Sequence, residues 1–149
     1  VALVAVFDRY TGKNKAFGFA RGACLKEGAV ATTYAHDHHN LMVLGHSRKD
    51  MLLAANQVIE IQGGMVAVAN EKRIAEIPLP VAGILSDLPL AEVANQMKEF
   101  KKALEDLGWE HHNPIMSLGT LSLPVSPALK ISDQGLIDVR EGKIISLFV

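Results

Sequence analysis

The chain has 149 residues, 49% of them hydrophobic, with 15 Lys and Arg against 16 Asp and Glu and a net charge of −1. That length fits one domain and buries a core without staples. Near-neutral charge leaves no electrostatic case for nucleic acid or an anionic membrane, no apolar run reaches membrane-spanning length, and one cysteine excludes an internal disulfide and suits a reducing cytosol.

The first element is a strand over Val1 to Tyr10, rich in β-branched residues. It has no basic n-region and no cleavage site, so it is read as a buried strand rather than a signal peptide. A chain that begins in a strand without Met is expected to be a piece of something longer. Thr11–Asn14 is turn-like, and Ala16–Phe19 and Ala29–Thr33 are further strands, separated by Gly22 and Gly28. Cys24, in Gly-Ala-Cys-Leu, reads as a buried structural thiol rather than a nucleophile.

Next comes Ala35-His36-Asp37-His38-His39-Asn40, which holds three of the six histidines. It falls between two apolar strands, the second being Leu41–Leu44. On a strand, His36 and His38 point the same way, and a His-x-His pair is a way to offer a metal two imidazoles. His39 or the remote His111-His112 would have to complete the set. The competing reading is that these side chains cap turns and satisfy the backbone around them. His111-His112, past a helix end, and His46 are read as surface structure.

Ser47 caps a helix over Ser47–Gln62, with Asp50 completing a capping box and Met51, Leu52, Ala55, Val58, Ile59 and Gln62 as its buried stripe. Gly63-Gly64 stops it and is no phosphate loop, since it follows a helix and lacks the lysine pattern. A hairpin over Met65–Ala69 and Arg73–Ile77 follows, then a segment from Leu79 to Leu85 too proline-rich for a central strand. Ser86-Asp87 caps the second helix, which runs over Pro89–Leu107 with Pro89 at its first position. Leu90, Val93, Ala94, Met97, Phe100, Leu104 and Leu107 form its core face. Beyond Trp109, Pro114, Pro124 and Pro127 punctuate a stretch expected to be extended. Gly135–Val139 and Lys143–Val149 close the chain as strands. No serine lies in a nucleophile elbow. The expected class is α+β, a mixed sheet packed with two principal helices in a single domain, with no TIM barrel.

Several long motifs, in order, give a resemblance. Gly28-Ala29-Val30-Ala31 with Ala35-His36-Asp37-x-His39-Asn40, then Asn56-x-x-Ile59-Glu60-x-Gln62-Gly63-Gly64, then Leu79–Asp87, then Leu121–Val139 are similar to the C-terminal domain of the prokaryotic adenine deaminases of the amidohydrolase superfamily. The chain departs at His38, where the family carries a small serine, and at Pro114–Gly119, which is less aromatic than the family version.

The resemblance implies that residues 1–149 are the appended domain of an enzyme that converts adenine and water to hypoxanthine and ammonia in purine salvage. In that superfamily a metal-activated hydroxide works in a (β/α)₈ barrel. The divalent metal (manganese, iron or zinc) and the barrel lie outside this chain, which is expected to be inactive alone. The implied partners are the barrel and, for the whole enzyme, adenine; the whole is expected to be a cytoplasmic homo-oligomer. His36, Asp37, His39 and Asn40 are the candidate accessory residues, expected to cluster at one edge of the sheet facing the barrel, with Asp37 paired to a histidine. Two other readings stay open: a stand-alone binding or scaffold module, and a small metalloprotein using His36 and His38.

Overall fold

The computed structural model describes residues 1–22 and 24–148. Six strands form one antiparallel sheet: β1 Ala2–Phe7, β2 Lys15–Ala20, β3 Ala29–Thr32, β4 Leu41–Gly45, β5 Gly64–Ala69 and β6 Lys72–Pro78, in the order β2-β1-β4-β3-β5-β6. The four inner strands are built from Ala, Val, Leu, Met and Thr, small or branched residues that pack on both faces of a pleated surface. β3 and β4 lie at the centre and are buried throughout.

Alternation along the strands divides the core in two. On one face Ala5, Ala29, Ala31, Val43, Val66 and Val68 meet Met51, Ala54 and Val58 of helix α1, Arg48–Glu60. On the other, Val4, Val6, Val30, Met42, Leu44, Met65 and Ile77 meet Phe100, Leu104 and Leu107 of α2, Leu90–Asp106, together with Ile115 and Leu118 of α3, Pro114–Gly119. A separate antiparallel sheet of β7 Leu129–Ser132, β8 Gly135–Asp138 and β9 Lys143–Ile145 packs beside β2. The fold is thus α+β, with no closed barrel among the described residues.

Several expectations need correction. Leu52 and Ile59 of α1 are 61% and 62% exposed, and the buried positions between them are Ala54 and Val58. Helix α1 rests on β3, β4 and β5 and leaves its flank over β1 and β2 uncovered. In α2 only the C-terminal half is buried; Leu90 is 84% exposed and Met97 is also exposed, because the helix overhangs the end of the sheet. Pro89 occupies the N-cap position with no side-chain cap, and the Ser86 hydroxyl instead accepts from the Leu88 N–H at 3.2 Å.

Ser47 does cap α1, accepting from the Asp50 N–H at 3.4 Å. Asp50 does not reciprocate: its Oδ1 accepts from the Glu71 N–H at 2.7 Å and ties the helix to the β5–β6 turn. The segment after Trp109 is not all extended. Asn113 caps α3 through its Oδ1, and Pro114 opens it at a position where the missing N–H costs nothing. Strand β7, which pairs with β8 around a short turn, went unread beside Pro127. The closing strand ends at Ile145, and Val149 lies outside the described residues, as does Ala23 beside Cys24. Cys24 is half-buried against the core.

Candidate functional site at the strand ends

The ends of β1, β3 and β6 and the starts of β2, β4 and β5 share one end of the sheet, as the pairs Phe7–Leu41, Thr32–Met65 and Gly64–Pro78 show. Four segments meet there: the polar residues 8–14 and 33–40, the glycine pair within 61–64, and the largely apolar, proline-bounded loop 79–89. The histidine hexad is the connection between the two central strands. It therefore stands at the end of the sheet rather than along a side edge, and as a loop it does not follow the two-residue alternation of a strand.

Three anchors fix the loop. Arg9, which the sequence reading passed over, donates through Nε to the His39 carbonyl at 2.5 Å and through Nη2 to the Ala82 carbonyl at 2.5 Å. It thus joins the hexad to the 79–89 loop. Its neighbour Tyr10 donates to the His38 carbonyl at 3.1 Å. The signal for both was a polar run, Asp8-Arg9-Tyr10, ending an apolar strand.

Thr33 forms the second anchor. Its hydroxyl accepts from the Gly64 N–H at 2.8 Å and donates to the Gly83 carbonyl at 2.7 Å. Gly63 is required beside it: its φ is +119°, and a Cβ there would stand 2.5 Å from the Gly83 Cα. The third anchor is Asn40, which is buried. Its Oδ1 accepts from the Arg9 N–H at 3.3 Å and its Nδ2 donates to Asp133 Oδ1 at 2.9 Å. Asp133 sits in the turn between β7 and β8, so Asn40 couples the two sheets.

The hexad side chains therefore do not act as one group of four. His36 and His39 come together, with ring centroids 5.7 Å apart, and both pack on Tyr34, at 4.9 Å and 6.1 Å. The buried Nδ1 of each has no protein hydrogen-bond partner. The His36 backbone is pinned by its N–H to the Gly119 carbonyl at 3.0 Å and by the Ser122 hydroxyl, which donates to its carbonyl at 3.2 Å. Asp37 is exposed, and among the described residues no ion pair joins it to a histidine.

His38 turns toward the smaller sheet. Its Nδ1 accepts from the Asn40 N–H at 2.9 Å, and burial pushes its pKa below the ordinary imidazole value, against the pull of Asp133. His111 and His112 stack on each other, with ring centroids 4.4 Å apart, on the exposed approach to α3. His46 contacts the Leu25 carbonyl through Nε2 at 2.7 Å. Among the described residues no group of three or more His, Cys, Asp or Glu side chains stands placed to hold a metal ion. No described helix is long and apolar enough to cross a membrane.

Beside Tyr34 a cleft of about 320 Å³ opens between the 79–89 loop, α2 and α3. Its walls are Met65, Ile77, Leu79, Leu85, Met97 and Met116, with Ser86 and Asn113 as polar members.

Two sheets tied at one cluster of loops, with polar side chains gathered there and no metal set among them, define an α+β domain that presents loops rather than a self-contained metal centre. The family model described as the adenine deaminase C-terminal domain matches residues 1–143, and the chain belongs to that family. Among its relatives, the protein named adenine deaminase of Clostridium perfringens is 56% identical over 149 residues, which covers 99% of this chain and 26% of the relative. Adenine deaminase 2 of Shouchella clausii is 57% identical over 149 residues, with the same 99% and 26% coverage. Adenine deaminase of Thermosipho melanesiensis is 44% identical over 149 residues, again covering 26% of the relative. The chain thus spans about a quarter of the length of these relatives.

Proposed function

We propose that this chain works as the C-terminal domain of a metal-dependent adenine deaminase, a hydrolase of purine salvage that releases hypoxanthine and ammonia from adenine and water. Its partner is the amidohydrolase barrel of the same enzyme, which holds the divalent metal (manganese, iron or zinc). The described residues of this chain do not fit that metal. The observation that carries the reading is the family match over residues 1–143, joined to relatives named adenine deaminase that are about four times as long.

Within this reading the strand-end loops face the barrel. His36 and His39 are each only half-buried at this loop, and an imidazole ring offers one nitrogen that donates and one that accepts. They serve the reaction from the docked surface, by hydrogen bonding the purine edge or passing a proton toward the leaving ammonia. Asp37, exposed beside them, is available to the barrel rather than to its own loop. Asn40 serves by holding the loop in place. A cytoplasmic location and a homo-oligomeric state complete the reading; sedimentation of the full protein checks the second.

The test replaces His36 and His39 by Ala in the full enzyme and measures turnover and metal content in the same preparations. Turnover should fall by about 10²–10⁴-fold while metal content stays. Equal loss of both would make the histidines ligands. Unchanged turnover with a lower melting temperature would leave them a structural role only.

A further inference from the structure

The face of the main sheet that carries α1 is only half covered. Helix α1 lies over β3, β4 and β5; on the same side of β1 Ala5 is buried against it while Leu3 and Phe7 are only partly covered, and no described element lies over β2. A groove of about 560 Å³ fills that space, floored by Leu3, Phe7, Phe17 and Val43 and walled by Met51 and Leu52 of α1. Phe17 is 45% exposed and Phe19, on the same face of β2, 56% exposed. Leu3 stands across from Phe19, and the Phe7 and Phe17 rings meet edge to face at 6.2 Å. Ile59, about two turns beyond Leu52, extends the apolar flank of α1. Apolar surface concentrated this way marks a place where another element packs.

The groove's dimensions select that element. β2 and the partly covered β1, at about 4.8 Å spacing, make a strip of up to about 10 Å, near the diameter of one α-helix. A helix laid there, alongside α1, completes the layer. Its polar flank is selected by charge. The charged or titratable side chains that line the groove are His46 and Arg48, at the Leu3 end, and no carboxylate lines it. Lys15, on the same face of β2 as Phe17, closes the Phe7 end. Two copies of this face laid together would set basic end against basic end in either orientation, which disfavours self-association.

We propose that the groove between α1 and strands β1–β2 receives one amphipathic, carboxylate-flanked helix from the outside of the catalytic barrel. This rests on the reading of the chain as the C-terminal domain of an adenine deaminase, whose relatives have about three quarters of their length outside it. The Phe7 end of the groove adjoins Leu41 and so the histidine loop. A helix seated there brings the barrel to the same end of the sheet as His36 and His39.

The experiment installs a photo-crosslinking phenylalanine analogue at position 17 of the full-length gene product, and at exposed Lys102 as a control, then maps adducts by mass spectrometry. The expected result is an adduct from position 17 to one helical peptide of the barrel segment, rich in Asp and Glu, within a single polypeptide. Position 102 should give no adduct to that peptide. A dimer-sized adduct joining position 17 to a second copy would overturn the proposal in favour of self-association, and no adduct at all would show the face to be free. In both cases, if the product deaminates adenine, only the groove assignment fails. A gene product with no barrel segment and no deaminase activity would overturn the functional reading and the groove assignment together.

Discussion

At the scale of single residues, the loop that looked like one polar cluster is a division of labour. Asn40 is structural. It is buried and bonds to the Arg9 N–H and to Asp133. Asn40→Ala should cost about 1–3 kcal/mol of stability, read by denaturation followed through the buried Trp109. Thr33→Val should cost a similar about 1–3 kcal/mol, because it strips the Gly64 N–H of its hydroxyl acceptor and the Gly83 carbonyl of its donor. His38 carries a pH dependence. Burial holds its pKa below the ordinary imidazole value, so the unfolded chain binds this proton at a higher pH than the folded chain does. The stability it permits is complete above the ordinary imidazole range and declines as pH falls through that range toward the lowered value. His38→Ser keeps a small hydroxyl at that position and removes the titration. The melting temperature of the variant should drop less than that of the parent between about pH 7.5 and about pH 5. An identical drop would mean that another group sets the slope.

At the scale of elements, helix α2 makes the sharpest contrast. Its apolar stripe runs the full length of the helix, yet only Phe100, Ala103 and Leu104 are buried within it. Phe100→Ala should therefore cost about 3–5 kcal/mol, whereas Leu90→Ala should stay within about 0.5 kcal/mol in the isolated chain; urea titration of both variants measures the difference. The stripe was legible because periodicity names the apolar face of a helix. Periodicity is silent on how far a helix overhangs what it packs on, and for that reason Leu90, Met97, Leu52 and Ile59 read as core and are exposed. Strands β1, β3 and β5 were legible from their Val-rich runs, and the Ser47 cap from its chemistry. Helix α3 was not: Asn113-Pro114 is both a turn signal and a helix start, and six residues offer too little periodicity to choose. The site was legible as a place but not as a geometry. Spacing located the histidines, but only tertiary contact shows that Arg9 and Asp133, distant in sequence, hold the loop that carries them, through the His39 carbonyl and the Asn40 side chain.

At the scale of the whole molecule, the motifs that carried the resemblance turn out to be one structure. The hexad, Gly63-Gly64, the 79–89 loop and the β7–β8 turn are far apart in the chain and meet through Arg9, Thr33 and Asn40 at one end of the sheet. A domain that spends its loop residues on one another, leaves the His36 and His39 rings half-exposed among them and leaves apolar surface on its β1–β2 face is shaped to complete something larger. The 149-residue chain should then be stable on its own, since its two core clusters close without that surface, and, on the function proposed above, it should be catalytically silent, since that reading assigns the metal to the barrel. The purified chain, with added manganese, iron or zinc, should release no ammonia from adenine above the buffer rate, while giving a cooperative unfolding transition. Ammonia release that scales with chain concentration and disappears in the His36→Ala variant would place the chemistry in this domain and refute the division of labour proposed for it.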